Sequence, residues 1–139
     1  MTEPLVGLGF DLHAFAAGRA LLLGGIAFEG EGLAGHSDGD VGEHFPDTDP
    51  AFAGIGGLDL LGRVVAMVRG AGANPVSADL TIVAERPSIA PAREEMRRAL
   101  GAALGVTSER VSVKATRPEG LGLTGDGVGC LALVVLARS

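Results

Sequence analysis

The tightest constraint on the fold sits near the end of the chain. From Val128 to Ala137 the sequence reads VGCLALVVLA, ten positions without a charge. A run that never alternates apolar with polar residues is expected of a strand covered on both faces. A chain holding such a strand has to build layers around it, and the preceding sequence offers the material.

Leu5–Phe10 reads as a first strand, with Asp11 and His13 at its end. Ala20–Leu23 is a second extended run, halted by Gly24-Gly25, and Ile26–Phe28 continues it as a paired strand. Leu33–Phe52 has neither helical nor strand period and is expected to be an open loop. Leu58, Leu61, Val65 and Val68 recur at helical spacing, and Gly70 and Gly72 stop that helix. Ala78–Glu85 reads as a strand. RPSIAPAREEMRRALGAALGV reads as a helix with Pro91 in its first turn, early acids, later arginines and a stop at Gly105. Val111–Ala115 is a further strand. Helices alternating with well-spaced strands indicate an α/β (α+β) fold, in one domain spanning 1–139.

Composition narrows the function. The chain carries 11 basic and 17 acidic residues, a net charge of −6, with no Trp or Tyr. That leaves no basic excess to displace counterions from a polyanion, and few aromatic platforms for stacked bases, so nucleic acid is not an expected partner. The longest apolar run is too short to span a bilayer, and the start, MTEPLVGLGF, lacks the positive charge of a signal peptide. Cys130 is the single cysteine and fits a reducing compartment. A cytoplasmic protein without a membrane partner is the expectation.

The polar chemistry lies in a few short stretches. In GFDLH, Asp11 and His13 are two apart, so an extended chain points both to one face. On spacing alone that is either half of a zinc site, which needs three protein ligands, or a surface pair. GHSDGDVGEHFPDTDP, Gly35 to Pro50, holds His36, His44 and five acids. Its Asp38-x-Asp40 run fails as a calcium loop, because Gly42 and Glu43 stand where an oxygen ligand and a glycine are needed. His36-Ser37 can meet a phosphate, and the acids equally serve turns. In KATRPEGLGLTGDG, a Thr hydroxyl and backbone N–H groups suit a phosphate, and Glu119 suits a magnesium ion. The glycine spacing there is not a dinucleotide fingerprint.

Taken in order, GFDLHAF, GHSDGDV, HFPDTDP, KAT followed by EGLGLTG, and the closing apolar strand resemble the 2-C-methyl-D-erythritol 2,4-cyclodiphosphate synthase family. The resemblance runs from about Val6 to Leu136. It implies a four-stranded sheet with helices on one face, and a homotrimer with active sites between neighbouring subunits. It implies release of CMP from a diphosphocytidyl sugar phosphate as a cyclic diphosphate forms, with Zn2+ or another divalent cation and a second ion, Mg2+ or Mn2+. Asp11 and His13 match two zinc ligands that also meet substrate. His36 and Ser37 match a phosphate-contacting pair. Phe45, Pro46, Asp47, Thr48 and Asp49 match a substrate loop. Ala84 to Ala90, with Arg86, Pro87, Ser88 and Ala90, match the segment that receives the cytosine. Thr116 and Glu119 match phosphate and magnesium contacts. His36, Thr116 and Arg117 are the candidate catalytic residues.

The chain also departs from the family pattern. A helix expected after Val41, roughly eighteen residues long, is missing, and the third zinc histidine goes with it. His44 is the substitute on offer. Ser88 stands where a Lys is usual, and Arg117-Pro118 where hydroxyl residues are. Asp126 and Val128 replace an Arg and a Glu at the trimer axis, and Arg86 and Arg117 are expected to restore some of the lost positive charge. These departures set a second reading beside the enzyme: a catalytically impaired or non-catalytic trimeric relative with a binding or structural role.

Overall fold

The computed structural model describes residues 3–34, 56–122 and 126–138. In chain order the elements are β1 (Glu3–Ala16), β2 (Leu21–Leu23), β3 (Ile26–Phe28), β4 (Gly32–Leu33), α1 (Gly57–Gly70), β5 (Ala73–Val83), α2 (Arg93–Leu104), β6 (Val111–Thr116) and β7 (Gly127–Arg138). The main sheet has five strands in the order β4-β1-β7-β5-β6, and β2 and β3 form a separate hairpin. The expected four strands are joined by β4, which pairs through Phe15↔Leu33 and Ala16↔Gly32. Two residues carry no period, so the start of the stretch expected to be loop gave no sign of it.

The apolar run does form the central strand. β7 pairs antiparallel with β1 from Glu3↔Arg138 to Ala14↔Gly127, and with β5 on its other side. Its expected cover on both faces is half right. Val128, Cys130 and Val134 face the helices, but Leu131 and Leu133 remain 41% and 38% exposed. On the same outer face the β1 side chains Val6, Leu8 and Phe10 are 66%, 70% and 58% exposed. The sheet therefore has one packed face and one open apolar face within the chain.

The packed face explains the helices. Met96, Leu100 and Leu104 lie four apart on α2 and are buried, with Val65 of α1, over Ala78, Ile82, Val111, Val113 and Val128 of the sheet. Glu94 and Glu95 occupy the first turn of α2, and Gly105 ends it at φ 76°, a left-handed cap. Arg97 Nε donates to Val111 O at 2.7 Å and its Nη2 to Ser108 O at 3.1 Å, tying α2 to the start of β6. The Gly24-Gly25 turn of the hairpin has φ of 57° and 80°, the pair of positive values a two-residue hairpin loop needs. A Cβ at Gly25 would collide with Leu58, so the hairpin sits directly on α1. Met96 is 1% exposed. Met96→Ala is expected to cost about 2–5 kcal/mol of stability, read from the shift of the urea midpoint.

Several boundaries differ from expectation. β1 runs six residues past Phe10, so Asp11 and His13 lie within it rather than at its end. β5 starts at Ala73 and stops at Val83. The expected long helix begins only at Arg93, after a 3-10 turn at Ala90–Ala92 that contains Pro91. Residues 86–89 are not helical.

Candidate functional site

Two groups of the expected residues are held by the described part of the fold. The first lies on β1. Asp11 and His13 share a face, as their spacing requires, and His13 Nε2 lies 2.9 Å from Asp11 Oδ2. His13 Nδ1 lies 2.7 Å from the carbonyl oxygen of Ala34, just beyond β4. Asp11 Oδ1 accepts the Leu12 N–H at 3.0 Å. Both ring nitrogens of His13 thus face oxygens. A neutral imidazole has one N–H, so both contacts are favourable only when a second proton, or a cation in its place, sits at the other nitrogen. With Nδ1–H donating to Ala34, Nε2 presents its lone pair beside a carboxylate, the arrangement in which a histidine ligates a divalent metal.

Cys130 and Val128 are the cross-strand partners of Asp11 and His13 on β7. Asp11, His13 and Cys130 line a cavity of about 390 Å³ together with Ile82, Met96 and Leu100. Burial, and secondarily the Asp11 carboxylate, push the Cys130 thiol above its ordinary range. Among the described residues no three His, Cys, Asp or Glu side chains are grouped to hold a metal ion. The pair fits a cation but does not complete a site by itself.

The second group is where β5 and β6 end. Ala84 N–H donates to Thr116 O at 3.1 Å, continuing the parallel pairing of β5 and β6 by one step. Beyond it, Pro118 O accepts the Leu121 N–H at 3.1 Å across a turn whose central residues, Glu119 and Gly120, have φ of 53° and 80°. Glu119 is the non-glycine residue at positive φ among the described residues. Its N–H donates to Glu85 Oε1 at 2.6 Å. Ala84 and Ile89 are buried, anchoring the segment 84–90 on the core while Glu85, Arg86 and Ser88 remain exposed.

Arg86, expected to add positive charge at the site, is engaged within the chain. Its Nη2 donates to Asp126 Oδ1 at 3.1 Å, and its guanidinium lies 4.2 Å from the centroid of the Phe15 ring. Asp126 O also accepts the Phe15 N–H at 2.9 Å. The exposed pair of Asp126 and Arg86 links the end of β1 to the segment after β5. Lys114 is likewise committed, to Asp79 on the neighbouring strand.

The fold thus joins Asp11 with His13, and Ala84–Ala90 with Thr116–Glu119. His36, Ser37, His44 and Phe45–Asp49 lie outside the described residues. Sequence reasoning missed Glu85 and the Ala34 carbonyl. Each acts by a contact across more than twenty positions that leaves no local pattern.

The YgbB family model matches the chain over residues 5–44 and 39–137. The chain belongs to the YgbB family. Its members include the 2-C-methyl-D-erythritol 2,4-cyclodiphosphate synthases. A synthase of that name from Symbiobacterium thermophilum is 44% identical, aligned over 96% of this chain and 98% of its own length. The bifunctional enzyme IspD/IspF of an Anaeromyxobacter species is 47% identical over 94% of this chain, which spans only 38% of that longer protein. A solved 2C-methyl-D-erythritol-2,4-cyclodiphosphate synthase, in a form bound to CDP, superposes with a TM-score of 0.84 at 28% identity, covering 95% of this chain and 99% of the other.

The family match breaks into two segments that overlap at 39–44, around the junction after Val41 where a helix was expected. The aligned stretch of 154 residues in the Symbiobacterium relative is longer than the whole 139-residue chain. Among the described residues no helix is long and apolar enough to cross a membrane.

Proposed function

We propose that the chain is a 2-C-methyl-D-erythritol 2,4-cyclodiphosphate synthase. It would convert 4-diphosphocytidyl-2-C-methyl-D-erythritol 2-phosphate to the 2,4-cyclodiphosphate. An oxygen of the 2-phosphate bonds to the β-phosphorus, the bridge to the α-phosphate breaks, and CMP leaves. The observation that carries this reading is the Asp11–His13 pair, its ring oriented by the Ala34 carbonyl, in a chain of this family.

Asp11 and His13 would hold Zn2+ or another divalent cation against a phosphate, and Glu119 would hold Mg2+ or Mn2+. Such ions supply charge neutralisation and orientation for phosphate oxygens. The rest falls to the chain itself. Phosphoryl transfer asks mostly for positioning and for stabilisation of charge on the transferring group. The Thr116 hydroxyl donates to a phosphate oxygen, and the Arg117 guanidinium offsets negative charge. His36 and Ser37 position the attacking phosphate. Phe45, Pro46, Asp47, Thr48 and Asp49 would contact the substrate. Backbone groups of Ala84–Ala90, presented by buried Ala84 and Ile89, receive the cytosine.

A homotrimer belongs to the same reading. The open face of β1 and β7 carries exposed Val6, Leu8, Phe10, Leu12, Leu131 and Leu133, an apolar patch of the kind that suits a protein interface. Three copies packed through that face would cover it. The protein acts in the cytoplasm in this reading, with no membrane or nucleic-acid partner.

One observation favours a second reading. The family match is interrupted where the third zinc histidine is expected, which suits a non-catalytic trimeric relative. The test is CMP release from the diphosphocytidyl substrate with Zn2+ and Mg2+, run beside zinc analysis of the dialysed native protein. Metal-dependent CMP release supports the synthase. Well-folded trimer with less than one zinc per chain and no CMP above a metal-free blank overturns it in favour of the second reading.

A further inference from the structure

We propose that Glu85 is a positioning residue for the Glu119 carboxylate, a role that rests on Glu119 holding the second divalent cation. Three observations carry it. Glu119 occupies a left-handed conformation, φ 53°, that residues with a Cβ adopt at an energetic cost. The turn Pro118–Leu121 requires it, because Gly120 at φ 80° follows and the Leu121 N–H closes on Pro118 O. The Glu119 N–H, directed out of that turn, is met by Glu85 Oε1 at 2.6 Å, an interaction strengthened by the acceptor's charge.

The chemistry explains why a glutamate here is not simply a turn residue. A glycine at 119 would make the turn without strain but would carry no carboxylate. Keeping a carboxylate at a position of positive φ needs an external hold on the backbone. Glu85 supplies it from the end of β5, where Ala84 is buried and bonded to Thr116 O. The sheet thereby fixes where the Glu119 side chain starts, although both acids are exposed. Glu85 touches the backbone of residue 119, so it acts on the cation through Glu119.

The experiment titrates Mn2+ by electron paramagnetic resonance into wild type, Glu85→Gln, Glu85→Ala, Glu119→Gln and the double variant Glu85→Ala/Glu119→Gln, each with CDP present. CMP release is followed against Mg2+ concentration in parallel. Glu85→Ala is expected to weaken Mn2+ binding about five- to tenfold, the low end for an outer-shell partner because the contact is exposed. Glu85→Gln keeps an acceptor oxygen and should stay within about twofold of wild type. Glu85→Ala should add nothing to the loss of Mn2+ binding in the Glu119→Gln background.

Wild-type Mn2+ binding in Glu85→Ala, or a further loss in the double variant, overturns the positioning role. Unchanged Mn2+ binding in Glu119→Gln overturns instead the assignment of the cation to Glu119. The two failures are therefore distinguishable, and neither depends on turnover.

Discussion

For the proposed synthase, His13→Ala is expected to lower kcat/KM for CMP release by at least about a hundredfold while leaving the chain folded. The size follows from what the ring does. Outer-shell partners of a metal ligand are worth about ten- to a hundredfold, and His13 would be a ligand itself. The change also leaves Asp11 Oδ2 without the ring nitrogen 2.9 Å away. Zinc content measured on the same samples separates the causes: the variant should retain well under one zinc per chain after dialysis. A companion change at the Ala34 end is not available, because the acceptor is a backbone carbonyl. His13→Gln makes the better control, since its amide N–H can still reach that carbonyl without offering an imidazole. If His13→Ala keeps wild-type kcat/KM, the pair is a surface ion pair and the cation lies elsewhere.

The second large effect concerns assembly. Leu8 and Phe10 are 70% and 58% exposed on the face opposite the helices. Placing one carboxylate there would, in a trimer, bury three like charges close together without partners, a penalty of several kcal/mol per ion. Leu8→Asp is therefore expected to convert a species of three chains into single chains, measured by sedimentation equilibrium. A control on the polar half of the same face, Thr81→Ala, should leave the mass unchanged. The single chains should keep the helical circular dichroism, because Leu8 makes no part of the packed core. A wild-type mass of one chain, or an unaltered trimer in Leu8→Asp, removes this face from the interface.

What the sequence made legible is what local periodicity encodes. The early acids, later arginines and Gly105 stop located α2, and the unbroken run at Val128–Ala137 located the central strand. The two-residue spacing of Asp11 and His13 placed them together. The failures share a different cause. The run at β7 looked buried on both faces because composition reports that a side chain is apolar, not which molecule covers it. β4 is set by its pairing with the end of β1, and Arg86 is engaged by Asp126 forty positions on. Glu85 reaches Glu119 across a gap that no window spans. Contacts of that kind are properties of the finished sheet.

The pairing of β1 with β7 has a kinetic side. Asp11 is synthesised long before its sheet neighbour Cys130. Partners so far apart must close a long loop before they gain anything from meeting, so this pairing is slow relative to the local α2–β6 contacts. Until it forms, β1 has no neighbour but the two-residue β4, and the geometry at Asp11 and His13 has no frame. The Asp11–His13 pair is therefore expected to order only after β7 has docked, and a truncated chain lacking β7 should bind no divalent metal there.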